Sequence, residues 1–221
     1  MEPEFFLRLG GLLKWVGAAL YPLFLLPLVL LIIPGPLSAI SKRLSGILDG
    51  ITGIVLRIAM AATLALLLLQ LAVVVAAFAF GLSWTWLSEL VIFAFATMFM
   101  LGAAVALRDD AHVRVDILRP RFGENGRNWI ELVGLYLFLF PICIRLLSMN
   151  EQGLARSWRL FEGSQESDGL PIFFLFKTLL PIFAILMLAQ GLSLAIKAAL
   201  RLGGHMPPAT PSEPAGGAHG A

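Results

Sequence analysis

Charged residues make up only 14% of this 221-residue sequence, while 59% are apolar. A soluble domain carries roughly one quarter charged residues, so the scarcity makes lipid part of the solvent this chain requires. Cysteine is nearly missing: Cys143 stands alone in an apolar stretch, which rules out an intrachain disulfide and a thiolate metal cluster. Of the three histidines, His205 and His219 fall in the C-terminal tail region, leaving His112 without a second imidazole with which to hold a metal. No internal repeat occurs, and no inverted pair of broken helices, the frame on which many secondary transporters build a midplane substrate site. The net charge of +2 is a topology signal in such a chain, and no nucleic-acid partner is expected. Glu2 and Glu4 precede the first arginine and no short apolar stretch ends in a small-residue cleavage site, so a cleaved signal peptide is not expected.

What is present is a series of long apolar runs. A helical crossing needs about 20 apolar residues. The strongest run, residues 58–80, has no charge and only Thr63 and Gln70 among polar types. A turn over residues 81–88, with Trp84 and Trp86 as interface aromatics, leads to a second charge-free run at 90–107. A third, weaker span is expected at 129–149, with Glu131 and Arg145 within snorkelling reach of its ends, and a fourth at 171–200, with Lys177 and Lys197 near its ends. Residues 12–33 are also apolar but carry Lys14, Pro22 and Pro27 before Pro34-Gly35-Pro36. They are either a fifth, proline-bent span, which their length favours, or an arm lying at the interface.

The short loops set orientation, because positive residues resist translocation. Arg108, Arg114, Arg119, Arg121 and Arg127 follow the second span, Lys42, Arg43 and Arg57 precede the first, and Lys197 and Arg201 end the last. All three regions should be cytoplasmic. The expectation is an all-α integral membrane protein with four core transmembrane helices in N-in/C-in order. Its parts would be an N-terminal apolar segment and cytoplasmic linker (1–46), a four-helix membrane domain (47–202) and a disordered cytoplasmic tail (203–221), the tail rich in Gly, Pro, Ala and Ser.

Few residues in the runs suit chemistry. If the second span continues as helix, Arg108, His112 and Asp116 stack at i, i+4 and i+8 in one ion-paired strip. His112 has no nucleophile beside it. Glu89, at the start of the second span, is placed for a structural role or for a proton or cation, and Arg145 and Lys177 are placed to snorkel. Gln70 and Gln190, with Thr63 and Ser193, read as helix glue. In residues 150–162, Leu154, Trp158 and Phe161 fall on one stripe, which suits a helix lying on the membrane surface. No catalytic, cofactor-binding or metal residue is expected.

A charge-free span, the turn FGLSWTWLSEL, a second span and then LGAAVALRDDAHVRVDIL form an order that resembles the small membrane subunit of TRAP (tripartite ATP-independent periplasmic) transporters, the DctQ family. That family opens its second helix with a Trp and a Glu, places a Gly near its end, and continues with an Arg, a His and a Val-Asp pair. The matching positions are Trp86, Glu89, Gly102, Arg108, His112, Val115 and Asp116; the last span, with Pro171, Pro181 and Gln190, is also similar. The likeness runs from about residue 47 to residue 200. Two departures stand out: the family's Arg-Tyr pair at the end of the first span is replaced by apolar residues 76–80, and the 12–33 segment exceeds the four-helix pattern.

The resemblance implies a scaffold subunit in the bacterial inner membrane. Its partners would be a large elevator-type membrane subunit, which holds substrate and sodium, and a periplasmic substrate-binding protein. The cargo would be organic acids of dicarboxylate, keto acid or sugar acid type, with no cofactor in this chain. Two other classes remain: a stand-alone homo-oligomeric channel or carrier, for which Glu89, Arg145 and Lys177 would have to line a path, and a small intramembrane enzyme, for which no pair of catalytic residues exists within the spans.

Overall fold

The computed structural model describes residues 23–32, 37–109 and 122–207. In chain order its helices are α1 (Leu23–Ile32), α2 (Leu37–Phe80), α3 (Thr85–Arg108), α4 (Glu124–Gly134), a π-helical turn (Leu135–Leu139), α5 (Phe140–Leu160) and α6 (Phe173–Leu202). α4, the π-turn and α5 run on without a break as one 37-residue helix, Glu124–Leu160. Among the described residues four helices are long and apolar enough to cross a membrane, so the chain is an all-α, multi-pass membrane protein. His112, Val115 and Asp116, most of the N-terminal apolar segment and the tail from residue 208 lie outside the described residues.

Helix ends depart from the apolar runs in consistent ways. α2 begins at Leu37, well before the charge-free stretch, and passes unbroken through the expected boundary at residues 46 and 47. At 1.5 Å per residue it is about 65 Å long, roughly twice the hydrocarbon thickness. A run of apolar residues marks where a helix is dehydrated, not where its hydrogen bonding stops. The turn after α2 is confined to residues 81–84, because Gly81 takes the left-handed conformation at φ 67°. Its N–H and that of Leu82 turn back onto the carbonyls of Ala77 (3.2 Å) and Ala76 (3.0 Å). Thr85 already belongs to α3, so Trp86 and Glu89 sit on its first turns.

The third span is longer at both ends than residues 129–149, and residues 150–160 do not form a separate surface helix: they continue α5. Trp158 on this extension donates from Nε1 to Thr178 Oγ1 of α6 at 3.1 Å and sets its ring edge-on against Phe174. Phe161 of the same stripe also sets its ring edge-on against Phe174.

α6 is the centre of the packing. Ala184, Ala195, Ile196 and Ala198 are fully buried on it. Gly191 lets the π-turn approach so closely that a Cβ there would fall 2.3 Å from Leu139 Cδ2 and 3.0 Å from Phe140 Cε1. On the facing helix the buried apolar residues are Leu132, Leu135, Phe140 and Cys143, spanning the π-turn. α1 lies on protein rather than apart from it: Leu30 packs with Leu192, Ile196 and Leu200, and Phe24 meets Phe140 edge-on at 5.0 Å. Its ten described residues are too few to cross a bilayer. α3 joins α2 through Val55, Ala59, Leu101 and Val105.

Candidate functional site

The richest polar arrangement clasps α2 to α6 at the end where α3 and α6 terminate. On α2, Ser41, Ser45, Asp49 and Thr52 recur at steps of four, four and three, so they share one helical face. Gln190, Ser193 and Lys197 do the same on α6 at steps of three and four. The two stripes meet on Asp49. Its Oδ1 accepts from Ser193 Oγ at 2.8 Å and Gln190 Nε2 at 3.1 Å, and its Oδ2 accepts from Lys197 Nζ at 2.6 Å. Because Ser193 has given its single hydroxyl proton to Asp49, Ser45 donates to Ser193 Oγ at 2.9 Å. Thr52 Oγ1 closes the set by donating to Gln190 Oε1 at 2.7 Å.

Gln190, Ser193, Ser45 and Thr52 are all buried. In such a place unmade hydrogen bonds are costly and completed ones hold two helices in register. The carboxylate is already bound by an ammonium, a hydroxyl and an amide, so the arrangement acts as a fastening. Arg108 lies alongside: its guanidinium grips the neighbouring Asp109 at 2.6 and 3.0 Å and approaches Gly53 of α2. Among the described residues no three His, Cys, Asp or Glu side chains converge as metal ligands would.

At the opposite end, Glu89 fixes the connection between α5 and α6. Its Oε1 accepts from Ser164 Oγ and its Oε2 from the Leu170 N–H at 2.6 Å. Ser164 N–H in turn donates to the Leu170 carbonyl at 2.9 Å, pinching the loop at its base. Glu162 receives Lys177 Nζ at 2.6 and 2.8 Å, while Lys177 also lies 5.4 Å from the centre of the Phe173 ring. The Lys177 ammonium holds the Glu162 carboxyl below its usual value. Lys177 therefore reaches a partner on its own chain. Phe161, ending α5, takes a left-handed φ of 45° and is 60% exposed, an unusual conformation for a bulky residue.

The residues singled out from the sequence thus separate. Glu89 and Gln190 make buried or half-buried tertiary hydrogen bonds at opposite ends of the bundle. Arg108 lies next to the α2–α6 clasp, whereas Trp86 is exposed beside Trp84, and a Cβ at Gly102 would meet nothing within 4 Å. Gln70, grouped with Gln190 as glue, is exposed and makes no hydrogen bond with any described residue. Arg145 is exposed. Asp49 escaped notice, although the four-four-three spacing of Ser41, Ser45, Asp49 and Thr52 ahead of an apolar run was a visible signal for it.

Against known protein families, the model described as tripartite ATP-independent periplasmic transporters, DctQ component, matches residues 66–201, well over half of the chain. No curated protein and no solved structure matches it.

Proposed function

The chain belongs to the DctQ component family of tripartite ATP-independent periplasmic transporters, and from that premise we propose that it is the small scaffold subunit of a sodium-coupled importer of organic acids. The family is one of transporter components, not enzymes. In this reading a large membrane subunit binds substrate and sodium and moves, a periplasmic protein delivers the acid, and this chain widens the fixed frame in the bacterial inner membrane. The arginine-rich end with Lys197, Arg201 and Arg108 faces the cytoplasm, and the Glu89-pinned loop faces the periplasm.

The observation that carries the reading is where the described charges go. Asp49 and Lys197 close on each other across α2 and α6, Lys177 closes on Glu162, and Glu89 closes on a loop. Each of these charges is engaged by a group of its own chain. Many carriers build their midplane site from half-helix ends or unwound backbone. Here the charge-free stretch of α2 and the whole of α3 are continuous helix, and Pro181 does not interrupt α6.

The test is reconstitution. Proteoliposomes with both membrane subunits and the binding protein should take up acid under a sodium gradient, and leaving out this chain should abolish uptake. Solute uptake by this chain alone, without a second membrane subunit, would overturn the proposal in favour of an independent carrier.

A further inference from the structure

We propose that the cavity between α3, α5 and α6 holds one membrane lipid, a glycerophospholipid whose headgroup carries both a phosphate and an ammonium group. The proposal needs only that the four long helices stand in a membrane, and it goes beyond the scaffold reading. The cavity is half-open and has a volume of about 400 Å³. That is a size that takes a small ligand, and a helix about 10 Å across does not fit into it.

Contacts already described give the cavity a direction. Trp158 on Thr178 and Phe161 on Phe174 set the end of α5 beside the start of α6. Lys177 is next to Thr178 and reaches Glu162, so the ion pair stands at the mouth, on the side of the 161–172 loop. Asn150 precedes Trp158 by eight residues, about 12 Å further into the bundle. The rest of the wall is largely apolar, with Met100 of α3 and Phe176 and Leu180 of α6.

Two features of α5 point to an occupant. Asn150 Nδ2 is buried at this cavity and donates to none of the described residues. A buried N–H left unmade is costly, and at this depth in a lipid leaflet the acceptor on offer is an ester carbonyl. Gly153, nearer the mouth, keeps the space open: a Cβ there would meet nothing within 4 Å. At the mouth Lys177 and Glu162 present both signs of charge, with their side chains 35% and 33% exposed. The ammonium suits a phosphate and the carboxylate suits a headgroup ammonium, which favours a zwitterionic lipid over an anionic one or a free phosphate. Charge pair, amide donor and apolar wall thus follow one another in the order headgroup, ester and chain of a lipid.

The experiment is native mass spectrometry of the full chain in mild detergent, titrated with dioleoyl phosphatidylethanolamine or dioleoyl phosphatidylglycerol. One phosphatidylethanolamine should bind per chain, at least about threefold more tightly than phosphatidylglycerol. Asn150→Leu should weaken binding about three- to tenfold, the size of one hydrogen bond. Gly153→Leu, which fills the space, should weaken it at least about tenfold. The thermal transition of Gly153→Leu in lipid-free detergent should be no lower than that of the wild type, because the added side chain meets open space. Binding unchanged in both variants, or equal binding of the two lipids, overturns the site. So does loss of the lipid when the chain is purified together with a second membrane subunit, which would assign the cavity to protein and leave the scaffold reading standing.

Discussion

In its most apolar eighteen-residue stretch α6 buries 50% of its residues, whereas α2 buries 6% in its own. Both stretches would pass for interchangeable spans by composition. What separates them is the placement of small and polar side chains: α6 presents Gly191, Ser193, Ala195 and Gln190 to its neighbours, and the matching stripe on α2 ends at Thr52, before the charge-free run begins. Apolar content fits a helix for lipid, and small and hydrogen-bonding residues decide which faces meet protein. The outer half of α2 is accordingly the exposed arm of a hairpin whose other arm, α3, packs on α6 through Ala104 and through Phe93 against Phe176.

That contrast can be broken from the α6 side. Asp49→Ala leaves Lys197 without its counter-charge and three donors without an acceptor. It should destabilise the chain by about 2–3 kcal/mol in detergent unfolding titrations, the low end for a buried pair because both side chains keep some solvent. A loss no larger than that of a surface substitution would show that α2 is held by apolar packing alone. Gly191→Val should cost about 2 kcal/mol, since the new side chain collides with Leu139 and Phe140 of the facing helix.

From the hairpin side the sign reverses. Gly102→Ala meets open space, so it should leave the isolated chain unharmed or raise its stability by up to about 1 kcal/mol through helix propensity. A destabilised variant would place Gly102 in contacts this fold does not contain. The smallest effect is pH-dependent and belongs to the loop between the two regions. The Glu162 carboxyl titrates below its usual value, so the stability it contributes is complete above the ordinary carboxylate range and is lost only as pH falls through the lowered value. Once the intrinsic pH dependence of exchange is divided out, amide protection in residues 161–172 should stay constant from neutral pH down through the ordinary carboxylate range and fall only below it. Lys177→Met should move that onset upward.

The spans were legible because dehydration leaves a local mark: residues 58–80 and 90–107 lie inside α2 and α3. The ends were not, because residues 37–57 and 150–160 are helical extensions stabilised by what they pack against, and that information sits elsewhere in the chain. The same division holds for the candidate site. Glu89 and Gln190 stood out as polar residues in apolar surroundings, but the value of Asp49 depends on Gln190, Ser193 and Lys197 some 140 residues later. Complementarity between distant stripes has no local period to read. Gln70 shows the converse, since it had the same local signature as Gln190 and yet is exposed and bonds to no described residue.

The π-helical turn carries a further consequence, for which changes of length the molecule can survive. Buried positions on the long third helix run Leu132, Leu135, Phe140 and Cys143, with a five-residue step across Leu135–Leu139 where a regular helix would step by three or four. The extra residue acts as a phase shifter between the two halves. Deleting one residue inside the turn would restore a uniform helix and rotate everything after it by about 100°. Cys143 would leave the core and Trp158 would swing away from Thr178 some 20 residues downstream. Sequences related to this one should therefore keep the number of residues in this interval while varying their identity, and a deletion here should do more harm than most substitutions at the same positions.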